Sequence, residues 1–415
     1  MTADEQYRSL IDAWIVEALN RQPGIAALTL LQALPCVYPT DLADALRRLG
    51  AVPTLSRASE RLLHELGGPP LPAPDDIFRQ LPVPHALDFE WRFDRSTVER
   101  LVHLVRANTE AGATVLLLGS PTVALLGPET LPDRTWLLVE SNPLVIDRLR
   151  NRERLTVLQG DARSDWPDLP PSACVVTDPP WYEADLLNFL ATATKSLEIG
   201  SSVIASLPPR GVRPGIQMQL DRIAGAARDY GLRQDAFQQA DLSYEGPFFE
   251  RNALAAAGLA GVPWNWRRGD LGVFVKVTAA PIAPPMAQTR ADRPWDEVML
   301  GQVRIKIDCS QHGAGDPGLI KVVPGDILPS VSRRSPWRTR AQVWTSGNRV
   351  FRTQNPAGLL ETARSLADGR SPKAISDQTG IARHHVDKTI AELHDLVETE
   401  VTDMRKVSLV HEPTG

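Results

Sequence analysis

Cysteine is scarce in this chain, and what little there is stands apart. Cys36, Cys174 and Cys309 form no CxxC pair, which excludes a disulfide framework and a thiolate metal site and fits reduced, mostly buried thiols. No apolar run reaches the roughly 18–20 residues that a membrane span needs. The opening residues Met1 to Glu5 are polar and acidic, unlike a secretory leader. The expectation is a soluble, cytoplasmic protein without a membrane partner. Excess positive charge is also missing: 45 Lys and Arg face 50 Asp and Glu, a formal charge of −5. Any contact with a polyanion must therefore come from a local patch. No cluster has metal-ligand spacing, His384-His385 reads as a helix-surface pair, and no metal is expected. Neither an internal repeat nor a long low-complexity segment occurs.

The 415 residues suffice for two or three domains. Residues 5–20 place Tyr7, Leu10, Ile11, Trp14, Ile15 and Ala18 at helical spacing, and compact helical segments follow at 25–34 and 40–49. Residues 1–66 thus read as a helical domain, either winged-helix-like or a plain helical cap. Prolines recur from 67 to 90 and mark a stiff linker. Between 91 and 278, short apolar runs alternate with helical patterns: Val115–Leu118, Trp136–Val139, Leu155–Leu158, Cys174–Val176 and Val203–Ala205, then Leu271–Val277. Short buried strands joined by crossovers predict an α/β domain with a mostly parallel, Rossmann-like sheet. A break at Pro281–Pro294 leads into an Arg- and Trp-containing extension, 279–356. Residues 357–415 resemble a helix-turn-helix, with Ser371-Pro372 opening one helix and Thr379-Gly380 turning into the next.

Candidate ligands collect at strand ends. Gly119-Ser120 follows the first sheet strand, where glycine lets the backbone approach a cofactor. Glu140 ends the second strand, placed to accept hydrogen bonds from ribose hydroxyls. Gly160-Asp161-Ala162 ends the third, and Asp161 is placed to meet an adenine amine. Asp178-Pro179-Pro180-Trp181-Tyr182 ends the fourth. Glu140 and Asp161 taken singly also fit as helix caps or loop acids; four consecutive strand ends are harder to assign to chance.

On these residues the chain resembles the class I S-adenosylmethionine-dependent methyltransferases over about residues 110–280. Asp178-Pro179-Pro180-Trp181 resembles the motif of those that methylate exocyclic amines, commonly of a nucleobase in nucleic acid. The resemblance implies that Asp178 and the Pro179 carbonyl accept hydrogen bonds from the target amine while Trp181 or Tyr182 stacks on its ring. It further implies that Gly119, Ser120, Glu140, Asp161 and Ala162 hold S-adenosylmethionine. Two positions depart from the pattern: Leu117 replaces an acid, and Pro121 replaces a glycine and has no N–H to offer the methionine carboxylate. The chain also resembles, more distantly, the branched-chain polyamine synthases. Those aminopropyltransferases use decarboxylated S-adenosylmethionine, and Asp178, Glu183 and Asp185 would then meet a cationic acceptor.

Tyr244 and Phe248 precede the last strand, where this class shapes its acceptor pocket; core packing explains them equally. Arg333, Arg334, Arg338 and Arg340, interleaved with Trp337 and Trp344, suit phosphate contact with base stacking, or else a solvated surface. The terminal helical domains suit nucleic acid or a protein partner. The function expected is N-methylation of an exocyclic amine. Aminopropyl transfer is the alternative, and a catalytically silent nucleic-acid or protein-binding scaffold is the second one.

Overall fold

The computed structural model describes residues 1–70, 80–163, 169–280, 282, 295–311, 313–333 and 335–408. Part of the proline-rich linker, most of the Pro281–Pro294 break and Arg334 lie outside the described residues. Four helices come first, α1 (Ala3–Arg21), α2 (Ala27–Ala33), α3 (Pro39–Leu49) and α4 (Ser56–Leu66), with no strand among them. Thr2 and Glu5 form a capping box at the start of α1, which satisfies N–H groups that the helix cannot bond itself.

The central sheet is built from β1 (Arg92–Phe93), β2 (Thr114–Leu118), β3 (Thr135–Glu140), β4 (Leu155–Gln159), β5 (Ser172–Thr177), β6 (Leu197–Leu207), β7 (Leu232–Glu245) and β8 (Arg268–Lys276). Their order is β1-β7-β8-β6-β5-β2-β3-β4. The pairs linking β4, β3, β2, β5 and β6 are parallel, whereas β8 and β7 join antiparallel. Val115 to Leu118 are all fully buried, as expected of a strand covered on both faces. One face packs on α5 (Arg95–Ala107), α6 (Pro121–Thr130) and the N-terminal helices, which share its hydrophobic core. The other packs on α8 (Glu183–Ser196) and α9 (Ile216–Asp229). The remaining helices here are α7 (Pro143–Leu149), after β3, and α10 (Phe248–Ala256), between β7 and β8.

The extension after the break is a second sheet. β9 (Trp295–Leu300), β10 (Val303–Asp308), β11 (Ile320–Lys321), β12 (Val343–Thr345) and β13 (Val350–Arg352) run antiparallel in the order β11-β13-β12-β10-β9. Helices α11 (Pro356–Ala367), α12 (Pro372–Thr379) and α13 (Arg383–Ser408) follow. Ser371 caps α12 through the Ala374 N–H, and Gly380 ends it in the left-handed region at φ +69°, where glycine carries no Cβ penalty. No described helix is long and apolar enough to cross a membrane.

Candidate active site

The chain runs β2, β3, β4 outward and then returns to place β5 on the other side of β2. That reversal leaves a crevice at the carboxyl ends of β2 and β5, the place where open α/β sheets bind ligands. Leu118 pairs with Thr177 across the two strands, so Gly119 and Asp178 emerge side by side. Gly119 has φ +61°, and a Cβ there would sit 3.2 Å from Phe189 Cε1. A cavity of about 940 Å³ opens over this edge. Gly119, Glu140, Asp161, Ala162, Asp178, Pro179, Trp181, Tyr182, Tyr244 and Arg333 all line it.

Asp178 is the most elaborated of these positions. Tyr244 donates its hydroxyl to Asp178 Oδ1 at 2.6 Å, Ser206 Oγ lies 2.5 Å from the same Tyr244 oxygen, and Trp181 Nε1 donates to Ser206 Oγ at 3.0 Å. Burial pushes the Asp178 carboxyl up to about 7, against the opposing pull of the Tyr244 and Ser206 hydrogen bonds and the Arg267 guanidinium. The carboxylate is therefore held fixed and poised to exchange a proton near neutrality. Trp181 is 5 % exposed, with its ring edge-on to Tyr244 and Arg267 4.1 Å from its centroid. Its place is structural as well as lining. Tyr182 is more open, and Arg333 and Arg213 lie 4.4 and 5.1 Å from its ring centre.

At the end of β3, Glu140 Oε1 accepts the N–H groups of Ser141 at 2.7 Å and Asn142 at 2.8 Å. Its Oε2 has no hydrogen-bond partner among the described residues. Burial raises the Glu140 carboxyl to about 7, with the Asn142 N–H opposing and Glu90 reinforcing. Asp161 is gripped by the Arg163 guanidinium at 2.7–2.9 Å. Burial alone would raise its carboxyl, but the Arg163 hydrogen bonds outweigh that and hold it below its usual value. Buried Ser120 turns its hydroxyl to the Leu118 carbonyl at 3.3 Å, and Pro121 occupies the first turn of α6. That turn consequently has one N–H fewer to offer.

Other expected residues lie elsewhere. Glu183 turns to Arg222, with contacts of 2.5 and 2.6 Å, outside the cavity wall. Phe248 is buried, and its neighbour Phe249 faces the cavity instead. Arg338 lies over Trp344 at 4.8 Å and Arg340 over Trp337 at 4.7 Å. Trp344 is fully buried and bonds Asn348, so it has no face for a base; Trp337 is 37 % exposed. Arg349, which follows that basic stretch in the chain, is neutralised inside the fold by Asp326 and Asp403. A composition count sees no acid between 327 and 360, yet tertiary structure brings acids from both sides. Conversely, residues 85–92 and the second sheet supply a cavity wall that no motif announced: Phe89, Glu90, Trp91, Trp295, Glu297 and Lys306. Glu90 had no local signal; its role depends on Asn142 Nδ2 and the distant Arg304, which both donate to it.

The Glu140 oxygen with no partner among the described residues and the cavity beside it fit a nucleoside-type cofactor at this edge. No family model matches the chain, and no curated protein matches it. Solved structures do. A branched-chain polyamine synthase variant from Thermus thermophilus, in complex with N4-aminopropylspermidine and 5'-methylthioadenosine, has 16 % identity and a TM-score of 0.51, over 70 % of this chain and 96 % of that one. This chain has a Rossmann-like α/β fold. The unmodified synthase from the same organism gives 15 % identity, 69 % and 95 % coverage and a TM-score of 0.49. A TehB-like S-adenosylmethionine-dependent methyltransferase from Corynebacterium glutamicum gives 15 % identity, 42 % and 86 % coverage and 0.29. At 16 % identity the first likeness shows the fold alone, and the two with TM-scores below 0.5 add nothing to it.

Proposed function

We propose that this chain is a transferase that moves the methyl group of S-adenosylmethionine to an exocyclic amine nitrogen held at Asp178. The observation that carries the reading is the partly buried Asp178 carboxylate, fixed by Tyr244 beside Gly119 at the reversal of the sheet. When bound, the sulfonium donor supplies an electrophilic carbon and departs as a neutral thioether. Glu140, with one oxygen unbonded among the described residues, suits the donor's ribose, and Ala162, which also lines the cavity, suits its purine. Asp178 accepts a hydrogen bond from the attacking amine and takes the proton that the new N–C bond expels. Pro179 and Pro180 restrict the backbone, so the acceptors are oriented before the amine arrives. Tyr182, flanked by Arg213 and Arg333, offers the more open aromatic face for a flat acceptor.

Aminopropyl transfer from decarboxylated S-adenosylmethionine is a second reading, favoured by one specific feature. Pro121 and the inward-turned Ser120 hydroxyl leave the first loop short of donors for a methionine carboxylate, and the decarboxylated donor needs none. Calorimetry with S-adenosylmethionine, its decarboxylated form and S-adenosylhomocysteine separates the readings. Methyl transfer predicts binding of the carboxylated pair. Selective binding of the decarboxylated form transfers the assignment to aminopropylation, and binding of none refutes both. Asp178→Asn is expected to lower turnover about 10²–10⁴-fold while donor affinity stays within a few-fold.

A further inference from the structure

Arg267 differs from the other arginines around the cavity. Arg163 is met by Asp161 and Asp185, and the nearby buried Arg304 by Asp88, Glu90 and Glu297. Arg267 lines the cavity, yet its side chain makes no hydrogen bond or ion pair among the described residues, and its Nε is buried without a partner. Its guanidinium carbon lies 4.2 Å from the Trp91 ring centre and 4.1 Å from that of Trp181. Two indoles therefore crowd the guanidinium and limit its rotation. What remains is the rim of N–H donors, the part that matches a carboxylate or phosphate. Asp178 and Glu250 share the Arg267 charge electrostatically but accept no hydrogen bond from it, so an anion arriving from solution would find donors that the protein itself leaves unused.

The same side chain is tied to the reacting centre. Tyr244, which donates to Asp178, has its ring centre 5.8 Å from the Arg267 guanidinium. A small molecule with its amine at Asp178 could therefore reach Arg267 with a second group. We propose that Arg267 is the anchor for an anionic group on the acceptor, so that the substrate is an amine that also carries a phosphate or a carboxylate. This rests on the transferase reading above and narrows it. A purely cationic polyamine would meet like charge at Arg267, whereas an acidic amine finds complementary groups at both ends.

The test titrates the full-length chain by calorimetry with probe pairs that differ in one anionic group. Adenosine against adenosine 5'-monophosphate forms the phosphate arm, and 1,4-diaminobutane against ornithine forms the carboxylate arm. Each is run with and without saturating S-adenosylhomocysteine, which keeps the probes out of the donor site. The anionic member of one arm is expected to bind at least about tenfold tighter, and the favoured arm names the anion. Arg267→Gln should erase that margin and leave the affinity of the member lacking the anionic group within about twofold, while Arg267→Lys retains part of it. Equal binding within both pairs overturns the proposal. So does a margin that survives in Arg267→Gln, or a variant that weakens both members alike, since any of these makes Arg267 a structural cation. A chain that binds neither S-adenosylhomocysteine nor decarboxylated S-adenosylmethionine but still prefers the anionic probe through Arg267 overturns the transferase reading and leaves Arg267 as an anion site.

Discussion

At the scale of single residues, the decisive pair is Asp178 and Tyr244, 66 positions apart and 2.6 Å from each other. The Tyr244 hydroxyl favours the ionised carboxylate, partly offsetting the burial that raises it to about 7. Activity that needs ionised Asp178 should accordingly rise with pH through about 7. Tyr244→Phe removes the donor, so the acid limb of the pH–rate profile should move up by about one unit, with a stability loss of about 1–2 kcal/mol. An unmoved limb would detach Tyr244 from the titration of the site. Asp178 was legible because a carboxylate followed by two prolines at a strand end is a rare local pattern. Tyr244, Ser206 and Arg267 were not legible in that role, because it comes from contacts across β6, β7 and β8. The Trp181 ring shows the limit most directly: sequence places an aromatic beside the acceptor, and packing decides that this one is mostly buried.

At the scale of elements, α13 illustrates what local pattern supplies and omits. Periodic apolar residues predict a helix from Ala382 to Leu396, whereas the helix runs from Arg383 to Ser408. The added turns are tied by tertiary contacts. Glu400 is fully buried and accepts from Thr345 Oγ1 at 2.5 Å, Ser346 Oγ at 2.8 Å and the Gly347 N–H at 2.6 Å, which closes the turn between β12 and β13. Burial nevertheless raises its carboxyl to about 7, with those hydrogen bonds opposing. An unfolded glutamate titrates near about 4.3, so between those values the folded chain keeps a proton that the unfolded chain has lost. The sign follows: this contribution is complete below about 4 and is lost as pH rises through about 7, at up to about 1.4 kcal/mol per unit. Unfolding free energy measured by urea titration from pH 5 to 8 should fall less steeply in Glu400→Gln. Asp178, Glu140 and Glu250 are also raised to about 7 by burial and keep part of the slope. His85, lowered to about 3 by burial, acts in the opposite sense, adding stability as pH rises toward its unfolded value.

At the scale of the whole molecule, the second sheet is part of the site's construction. Arg304 on β10 is fully buried and bonds Asp88 and Glu90, which precede β1, as well as Glu297 on β9. Glu90 in turn receives Asn142 Nδ2 at the N-terminus of α7, beside Glu140. Removing one partner of a buried ionic network leaves the others uncompensated, at about 3–5 kcal/mol. Arg304→Ala should therefore destabilise the chain by that amount and split one urea transition, seen alike by tryptophan fluorescence and far-ultraviolet circular dichroism, into two. A single transition of unchanged midpoint would mean that the two sheets are held together by other contacts. The sequence alone determined the parallel α/β sheet, the strand ends that carry Gly119, Glu140, Asp161 and Asp178, and the Ser371–Gly380 helix limits. All of these depend on local periodicity, on glycine and proline backbone constraints and on position along one strand. Tertiary structure decided which strands became neighbours, that the 279–356 extension formed a five-stranded sheet, and that it walls the cavity. It also decided that Arg349 is ion-paired inside the fold while the Arg267 side chain has no ion pair among the described residues. Charge compensation and burial depend on residues far apart in the chain, and the order of residues carries no local trace of them.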